Sequence, residues 1–199
     1  MDLFSNISDE EYFYLSGKVS FLPRFIDYNE SMNLFDALKD KVEWRQDEIK
    51  VFGKTHLVPR LTAWYGTKEY IYSGVVNSPK EPIDEIKTIQ KKVEELLPSF
   101  KANGVLLNYY RDGKDKMGWH SDNEKELGVN PIIVSVSLGE TRRFDFKKKD
   151  NNTDKTSVNL TSGSLLIMRE GVQANWKHQI PQQLKVKKGR INLTFRMVE

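Results

Sequence analysis

Gly189-Arg190-Ile191-Asn192-Leu193-Thr194-Phe195-Arg196-Met197-Val198 is the stretch that decides the fold. Ile191, Leu193, Phe195 and Met197 alternate with Arg190, Asn192, Thr194 and Arg196. A period of two marks a β-strand with one apolar and one polar face. Two environments produce it: an edge strand with one wet face, or the wall of a polar cavity. A wet face usually carries Lys, Glu and Thr. Two arginines with Asn and Thr between them suit a cavity lining better, and both readings stay open on this stretch alone.

Working outward, Ser164–Met168, Arg143–Lys147, Pro131–Leu138 and Gly104–Tyr110 read as further strands, with Asp-Gly, Leu-Gly and Ser-Gly turn signals between them. Residues 104–198 are therefore expected to be nearly all strand, in a sandwich or jelly roll. The first hundred residues mix helices and short strands. Asn29–Val42 carries a helical stripe of Met32, Leu34, Phe35 and Leu38. Pro82–Leu97 carries Ile83, Ile86, Gln90, Val93 and Leu97, with Pro82 to open the helix and Pro98 to close it. Ile49–Phe52 and Leu57–Val58, separated by Gly53–His56, look like a hairpin.

The 199 residues suit a single domain, 1–199, and no repeat or linker marks a boundary. The 38% of hydrophobic residues suffices for a core, and no apolar run is long enough for a membrane helix. The first residues, Met1-Asp2-Leu3-Phe4-Ser5-Asn6, lack the features of a secretory signal, so an intracellular location is expected. The absence of cysteine excludes disulfides, zinc-thiolate sites, iron–sulfur clusters and cysteine nucleophiles. Net charge is +3, with basic clusters at Lys147-Lys148-Lys149 and at Lys185, Lys187, Lys188 and Arg190. Such runs are solvated loops or contacts to a polyanion. No oligomerisation segment is evident, and a monomer is expected.

There are three histidines, His56, His120 and His178. His120 and Asp122 form an H-x-D pair, which an extended backbone points in one direction. With His178 from a separate strand they match the two-histidine, one-carboxylate facial triad of non-haem Fe(II) oxygenases, which leaves coordination positions open for cosubstrate and dioxygen. A surface histidine beside a turn carboxylate would give the same pair. The two-arginine face of 190–196, with Asn108 and Tyr110 on one face of another strand, adds a set suited to a dicarboxylate: arginine grips a carboxylate bidentately, and Tyr and Asn supply hydrogen bonds.

Together, Asn108-x-Tyr110, Asp112-Gly113, His120-x-Asp122, 131–139, 163–168, Trp176-x-His178-x-Ile180-Pro181 and Arg190-x-Asn192-Leu193-Thr194-Phe195-Arg196 resemble the AlkB-type Fe(II)/2-oxoglutarate dioxygenases, the nucleic acid dealkylases. Val51-Phe52-Gly53-Lys54, Pro59-Arg60-Leu61-Thr62-Ala63-Trp64-Tyr65-Gly66 and Tyr70-x-Tyr72-Ser73-Gly74 resemble the eukaryotic-type branch of that family. The resemblance implies a mainly β fold with flanking helices: a double-stranded β-helix (jelly-roll) core over 101–199 behind an N-terminal nucleotide-recognition lid over 1–100. It implies that His120, Asp122 and His178 hold Fe(II). Arg190, helped by Tyr110, would pair with the distal carboxylate of 2-oxoglutarate. Asn108 and Arg196 would lie toward its other carboxylate and the metal, with Asn192 and Thr194 alongside. With O2, such an enzyme oxidises the N-methyl group of 1-methyladenine- or 3-methylcytosine-type lesions, releasing formaldehyde, succinate and CO2.

A methyl group on a Watson–Crick edge requires the nucleotide to be flipped out of a duplex. By resemblance Phe52, with Gly53 beside it, is an intercalating finger and Lys54 meets backbone phosphate. Tyr72 and His120 sandwich the base, and Tyr70 offers it a hydroxyl. Lys185, Lys187 and Lys188 fall where relatives place a phosphate-contacting loop. Trp64, Tyr65 and Trp119 fit packing as well as a cage, and His56 reads as structural or as a backbone contact. One departure is Asn123, where repair relatives often carry an aspartate against the lesion; a neutral amide attracts a cationic base less strongly, and Glu124 could supply the charge if the loop turns inward. The expected partner is DNA carrying alkylated bases, in the cytoplasm, nucleoid-associated in a bacterium or nuclear in a eukaryote. Alternatives are the same chemistry on single-stranded DNA or RNA, a catalytically silent nucleic-acid-binding jelly roll, and a protein or small-molecule hydroxylase on the same core.

Overall fold

The strand Arg190–Arg196 runs through the interior of a sheet, not along its edge, and all seven of its residues are buried. The computed structural model describes residues 10–51, 53–72 and 75–199. In chain order the strands are β1 (Tyr12–Tyr14), β2 (Val19–Leu22), β3 (Glu48–Val51), β4 (Lys54–Leu57), β5 (Leu61–Gly66), β6 (Tyr70–Tyr72), β7 (Val75–Asn77), β8 (Gly104–Tyr110), β9 (Met117–His120), β10 (Ile133–Gly139), β11 (Arg142–Lys148), β12 (Lys155–Leu160), β13 (Ser164–Met168), β14 (Trp176–Ile180) and β15 (Arg190–Arg196). Helices are α1 (Tyr28–Lys41), α2 (Asp84–Leu96) and the single turn α3 (Val172–Asn175).

Seven strands form one antiparallel sheet in the order β1-β2-β13-β10-β15-β8-β5, and four form a second in the order β12-β11-β14-β9. This is the jelly roll expected from the alternating strands. Three strands from the first hundred residues, β1, β2 and β5, complete the larger sheet. The alternation in β15 separates two cores. Ile191, Leu193 and Phe195 pack with Leu38 of α1 and Ile86, Ile89 and Val93 of α2. Between the sheets lie Phe144, Phe146, Val158 and Ile180 of the smaller sheet and Leu106, Leu166 and Met168 of the larger. Truncating one such buried residue to alanine typically costs about 2–5 kcal/mol.

Helix α1 starts where Asp27 accepts from the backbone N–H of Asn29 (2.8 Å) and Glu30 (3.3 Å), and its last turn carries Lys39 and Lys41. The α2 stripe buries Ile86, Ile89 and Val93, with Ile83 and Leu97 partly covered. The expected hairpin closes sooner than the sequence suggests. Val51 pairs with Lys54, and Thr55, His56 and Leu57 continue β4 instead of forming the turn. Gly53 supplies the left-handed backbone, φ +76°, that a tight connection needs. Phe52 lies outside the described residues. Strands β9 and β12 carry no continuous apolar run, which is why pattern reading passes over them as regular elements, whereas the strand expected at His178 is β14; β9 is also bulged against β14.

Candidate active site

The pairing of β9 with β14 sets His120 directly opposite His178, and Asp122 follows two residues later. Their rings meet edge to face with centroids 4.2 Å apart. One ligand atom from each of His120, Asp122 and His178 lies within 4.8 Å of the others, the spacing of three donors around one ion. Nδ1 of His120 sits 2.8 Å from the carbonyl of Gly118, which fixes Nδ1 as the protonated nitrogen and turns the Nε2 lone pair toward the shared point. His178 is buried with the Phe144 ring stacked on it at 5.2 Å, and burial pushes its pKa down to about 3. Burial lowers that of His120 as well. Both imidazoles are therefore neutral at physiological pH, the form that binds metal.

Burial alone would raise the Asp122 carboxyl, but the Arg196 guanidinium beside it outweighs this and holds the carboxyl below the usual range. Nη2 of Arg196 donates to Asp122 Oδ1 at 2.7 Å, while Oδ2 lies 3.6 Å from Nε2 of His178. Gln173, in the α3 turn, accepts from the Asp122 backbone N–H at 2.9 Å, and its amide contacts the Met168 sulfur at 3.5 Å. No sequence signal pointed to Gln173; its role comes from a short turn packing against the ligand loop.

The polar face of β15 opens into the same cavity, which settles the two readings of that strand in favour of a lining. Arg190 is buried, donates from Nη2 to Ser137 Oγ and Asn192 Oδ1 (both 2.8 Å), and lies 5.4 Å over the Tyr110 ring. Its Nε and Nη1 are buried with no hydrogen-bond partner. Burial pushes the guanidinium down to about 10, so it stays charged at neutral pH. Asn192 donates to Thr194 Oγ1 at 2.7 Å, and Ser135 Oγ donates to Asn192 Oδ1 at 2.8 Å. Asn108 Oδ1 accepts from Nε of Arg60 at 2.6 Å, which sets Arg60, a residue given no role from sequence, against a residue that lines the cavity.

A second buried arginine was also missed. Arg142 stands 5.5 Å over the Tyr110 ring and donates to the carbonyls of Asp112 (3.0 Å), Asp115 (2.8 Å) and Pro181 (2.8 Å) and to Gln183 Oε1 (3.2 Å). It joins the loop after β8 to the loop after β14. Gly113 lets these loops touch: a Cβ there would lie 1.8 Å from the Gln183 carbonyl oxygen.

The expected substrate residues are dispersed. Tyr70 is fully buried, stacks on Trp64 at 4.5 Å and lies under Arg196, 5.1 Å from ring to guanidinium. Trp64 and Tyr65 pack inside the sheet. Asn123 is exposed. Glu124 turns inward toward Tyr70, and burial raises its pKa. Gly53 is exposed, and Lys54 and Tyr72 occupy strand positions in β4 and β6. His56 is exposed, as are Lys185, Lys187 and Lys188 before β15.

A family model, the 2OG-Fe(II) oxygenase superfamily, matches residues 18–196. Alpha-ketoglutarate-dependent dioxygenase alkB homolog 3 from Bos taurus is 39% identical over 189 residues, 91% of this chain and 66% of the relative. DNA oxidative demethylase ALKBH2 from Homo sapiens is 37% identical over 181 residues, 85% of this chain and 69% of the relative. The chain belongs to the AlkB-type 2-oxoglutarate–Fe(II) oxygenases. It spans about two thirds of the length of these relatives. The structure of OsALKBH1 superposes with a TM-score of 0.66 at 18% identity, covering 94% of this chain and all of that one, a likeness of fold. The AlkB-type cofactors fit the residues present. The triad offers neutral nitrogens and an ionised oxygen for Fe(II), and the partnerless edge of Arg190 offers two buried donors to the carboxylate of 2-oxoglutarate.

Proposed function

We propose that the chain is an oxidative demethylase of N-alkylated bases in DNA, acting on 1-methyladenine- and 3-methylcytosine-type lesions. The observation that carries this reading is the convergence of His120, Asp122 and His178 in the cavity that also holds the partnerless edge of Arg190. The names of the relatives, a DNA oxidative demethylase and an alkB homolog dioxygenase, support the substrate class.

In this reading His120, Asp122 and His178 hold Fe(II), and Arg196 keeps Asp122 ionised and aimed. Arg190 receives the distal carboxylate of 2-oxoglutarate; Tyr110, Asn192 and Thr194 shape the slot, and Asn108 faces the opposite end. Bound Fe(II) and 2-oxoglutarate supply, with O2, the oxidation that converts the N-methyl group to N-hydroxymethyl as 2-oxoglutarate becomes succinate and CO2. The hydroxymethyl group then leaves as formaldehyde: the C–N bond breaks, its electron pair stays on the ring nitrogen and neutralises the cationic base, and the hydroxyl proton passes to water. The remaining task of the chain is aim: holding the methyl carbon at the open metal positions and excluding bulk water. Phe52, Lys54, Tyr70, Tyr72 and the loop Asn123-Glu124 are the residues assigned to the flipped nucleotide.

A second reading is the same chemistry on single-stranded DNA or RNA, and in either reading Asn123 lowers the preference for cationic lesions. The test is mass spectrometry of paired single- and double-stranded oligonucleotides bearing 1-methyladenine, 3-methylcytosine or ethenoadenine, incubated with Fe(II), ascorbate and 2-oxoglutarate. Loss of the methyl group with matching formaldehyde and succinate is expected. No turnover on any of them would leave a silent binding module.

A further inference from the structure

The outer face of the four-stranded sheet carries a pattern that the active site does not use. Lys155 of β12 is directly opposite Lys147 of β11, and Lys147 is directly opposite Lys177 of β14. Inward-facing neighbours fix the direction of these side chains: Thr156, Phe146 and His178 form the adjacent register toward the cavity, so the lysines point outward. Like charges directly opposite on neighbouring strands destabilise a sheet, and here three occur in a row. Among the described residues none of the three has a carboxylate within ion-pair distance. The nearby Asp145 is engaged by Arg143 (2.9 Å) and Gln179 (2.9 Å).

The row also has an aromatic end. Nζ of Lys147 stands 4.6 Å from the centroid of the Trp119 ring. Trp119 is partly exposed and belongs to neither apolar core. It immediately precedes His120 in β9, so it faces the outer side of the sheet while His120 faces the cavity. Lys149 extends the positive field; its Nζ donates to the Gln173 carbonyl at 2.8 Å, and burial together with Lys177 lowers its pKa. A line of unneutralised cations ending in an aromatic ring is the combination that holds a single nucleic acid strand, cations along the backbone and a ring against a base.

We propose that this face is a track for the nucleic acid strand outside the catalytic cavity: Lys155, Lys147 and Lys177 contact successive phosphates, and Trp119 stacks on a base next to the reacting nucleotide. The proposal rests on the demethylase reading for the identity of the polyanion. It accounts for a lysine ladder that costs the free protein stability.

The test uses the full chain, a fluorescent unmethylated single-stranded oligonucleotide and the triple variant Lys147→Gln, Lys155→Gln, Lys177→Gln. Binding followed by anisotropy from low to high salt is expected to weaken about tenfold, and the slope of log affinity against log salt to fall by about 2, near 0.7 for each lost single-strand contact. The thermal midpoint of the variant is expected to equal or exceed that of the wild type, because repulsion is relieved. In the wild type the oligonucleotide is expected to quench tryptophan fluorescence, and Trp119→Phe is expected to remove most of that quenching. An unchanged salt slope, a lowered thermal midpoint, quenching that survives Trp119→Phe, or equal binding of polyglutamate would each overturn the track. Demethylation by the wild-type chain is scored separately. A track without turnover sinks only the catalytic reading, and turnover with an unchanged slope sinks only the track.

Discussion

Nη2 of Arg196 is 2.7 Å from Oδ1 of Asp122, and the two come from different sheets: Arg196 ends β15 of the larger sheet, and Asp122 follows β9 of the smaller. The bond occupies one carboxylate oxygen and leaves the other toward His178. Arg196→Gln removes the charge that offsets burial of Asp122. Metal affinity is expected to fall by about 10- to 100-fold, the usual range for loss of an outer partner, measured by Co(II) titration of the purified chain. Unchanged affinity would make the pair purely structural.

Gln173 holds the same loop through its backbone. Gln173→Ala leaves the Asp122 N–H without its acceptor, and removal of a buried partner costs about 1–3 kcal/mol. Metal affinity should drop and the urea midpoint should fall, with the KM for 2-oxoglutarate nearly constant. A rise in that KM without any metal defect would contradict the assignment.

The end of the cavity around Arg190, assigned to 2-oxoglutarate in the proposed function, is expected to respond differently. Arg142→Lys keeps a charge but cannot reach the carbonyls of Asp112, Asp115 and Pro181 together. Tyr110 then loses one of its two flanking guanidiniums. The expected result is a KM for 2-oxoglutarate raised about tenfold with kcat changed less, checked by succinate release at saturating oligonucleotide. Arg190→Lys should raise it further, because it removes the donors aimed at the carboxylate.

Acid stability has a separate handle. Burial would raise the Asp115 carboxyl, but hydrogen bonds from the Arg111 side chain (2.7 and 2.9 Å) and backbone (2.9 Å) hold it below the ordinary value. A carboxyl depressed in the folded state adds stability above its unfolded pKa of about 3.9, and that stability is lost as pH falls through the folded value. The stability gap between wild type and Asp115→Asn should thus be constant near neutrality and shrink below about pH 4, measured by urea unfolding from pH 2 to 7.

Phe52→Ala separates the two substrate readings. Activity on duplex oligonucleotide is expected to fall far more than on single strands. Equal loss on both would remove the finger role.

Much of this site can be read from the chain because its residues repeat on a period of two. The β15 alternation gives both arginines, and Asn108-x-Tyr110 and His120-x-Asp122 place paired side chains on one face each. What pattern cannot show is which distant segment closes over them. Arg142 lies in a strand whose outward neighbour is another arginine, and its partners are backbone carbonyls, which every residue has. Gln173 sits in one helical turn without periodicity. The lysine ladder exists only after β12, β11 and β14 are set in register, since 30 residues of sequence separate Lys147 from Lys177.

His120 and His178 of the triad ride on strands of the four-stranded sheet, and Asp122 follows the first of these strands. Arg190, assigned in the proposed function to the carboxylate of 2-oxoglutarate, is anchored in the seven-stranded sheet. The gap between the triad and Arg190 is therefore set by the apolar filling around Phe144, Phe146 and Leu106 together with the Arg196–Asp122 bond that ties the two sheets. Softening that filling would slide one wall against the other and uncouple turnover while the backbone ladders still register as intact, so warming should silence the enzyme before it unfolds.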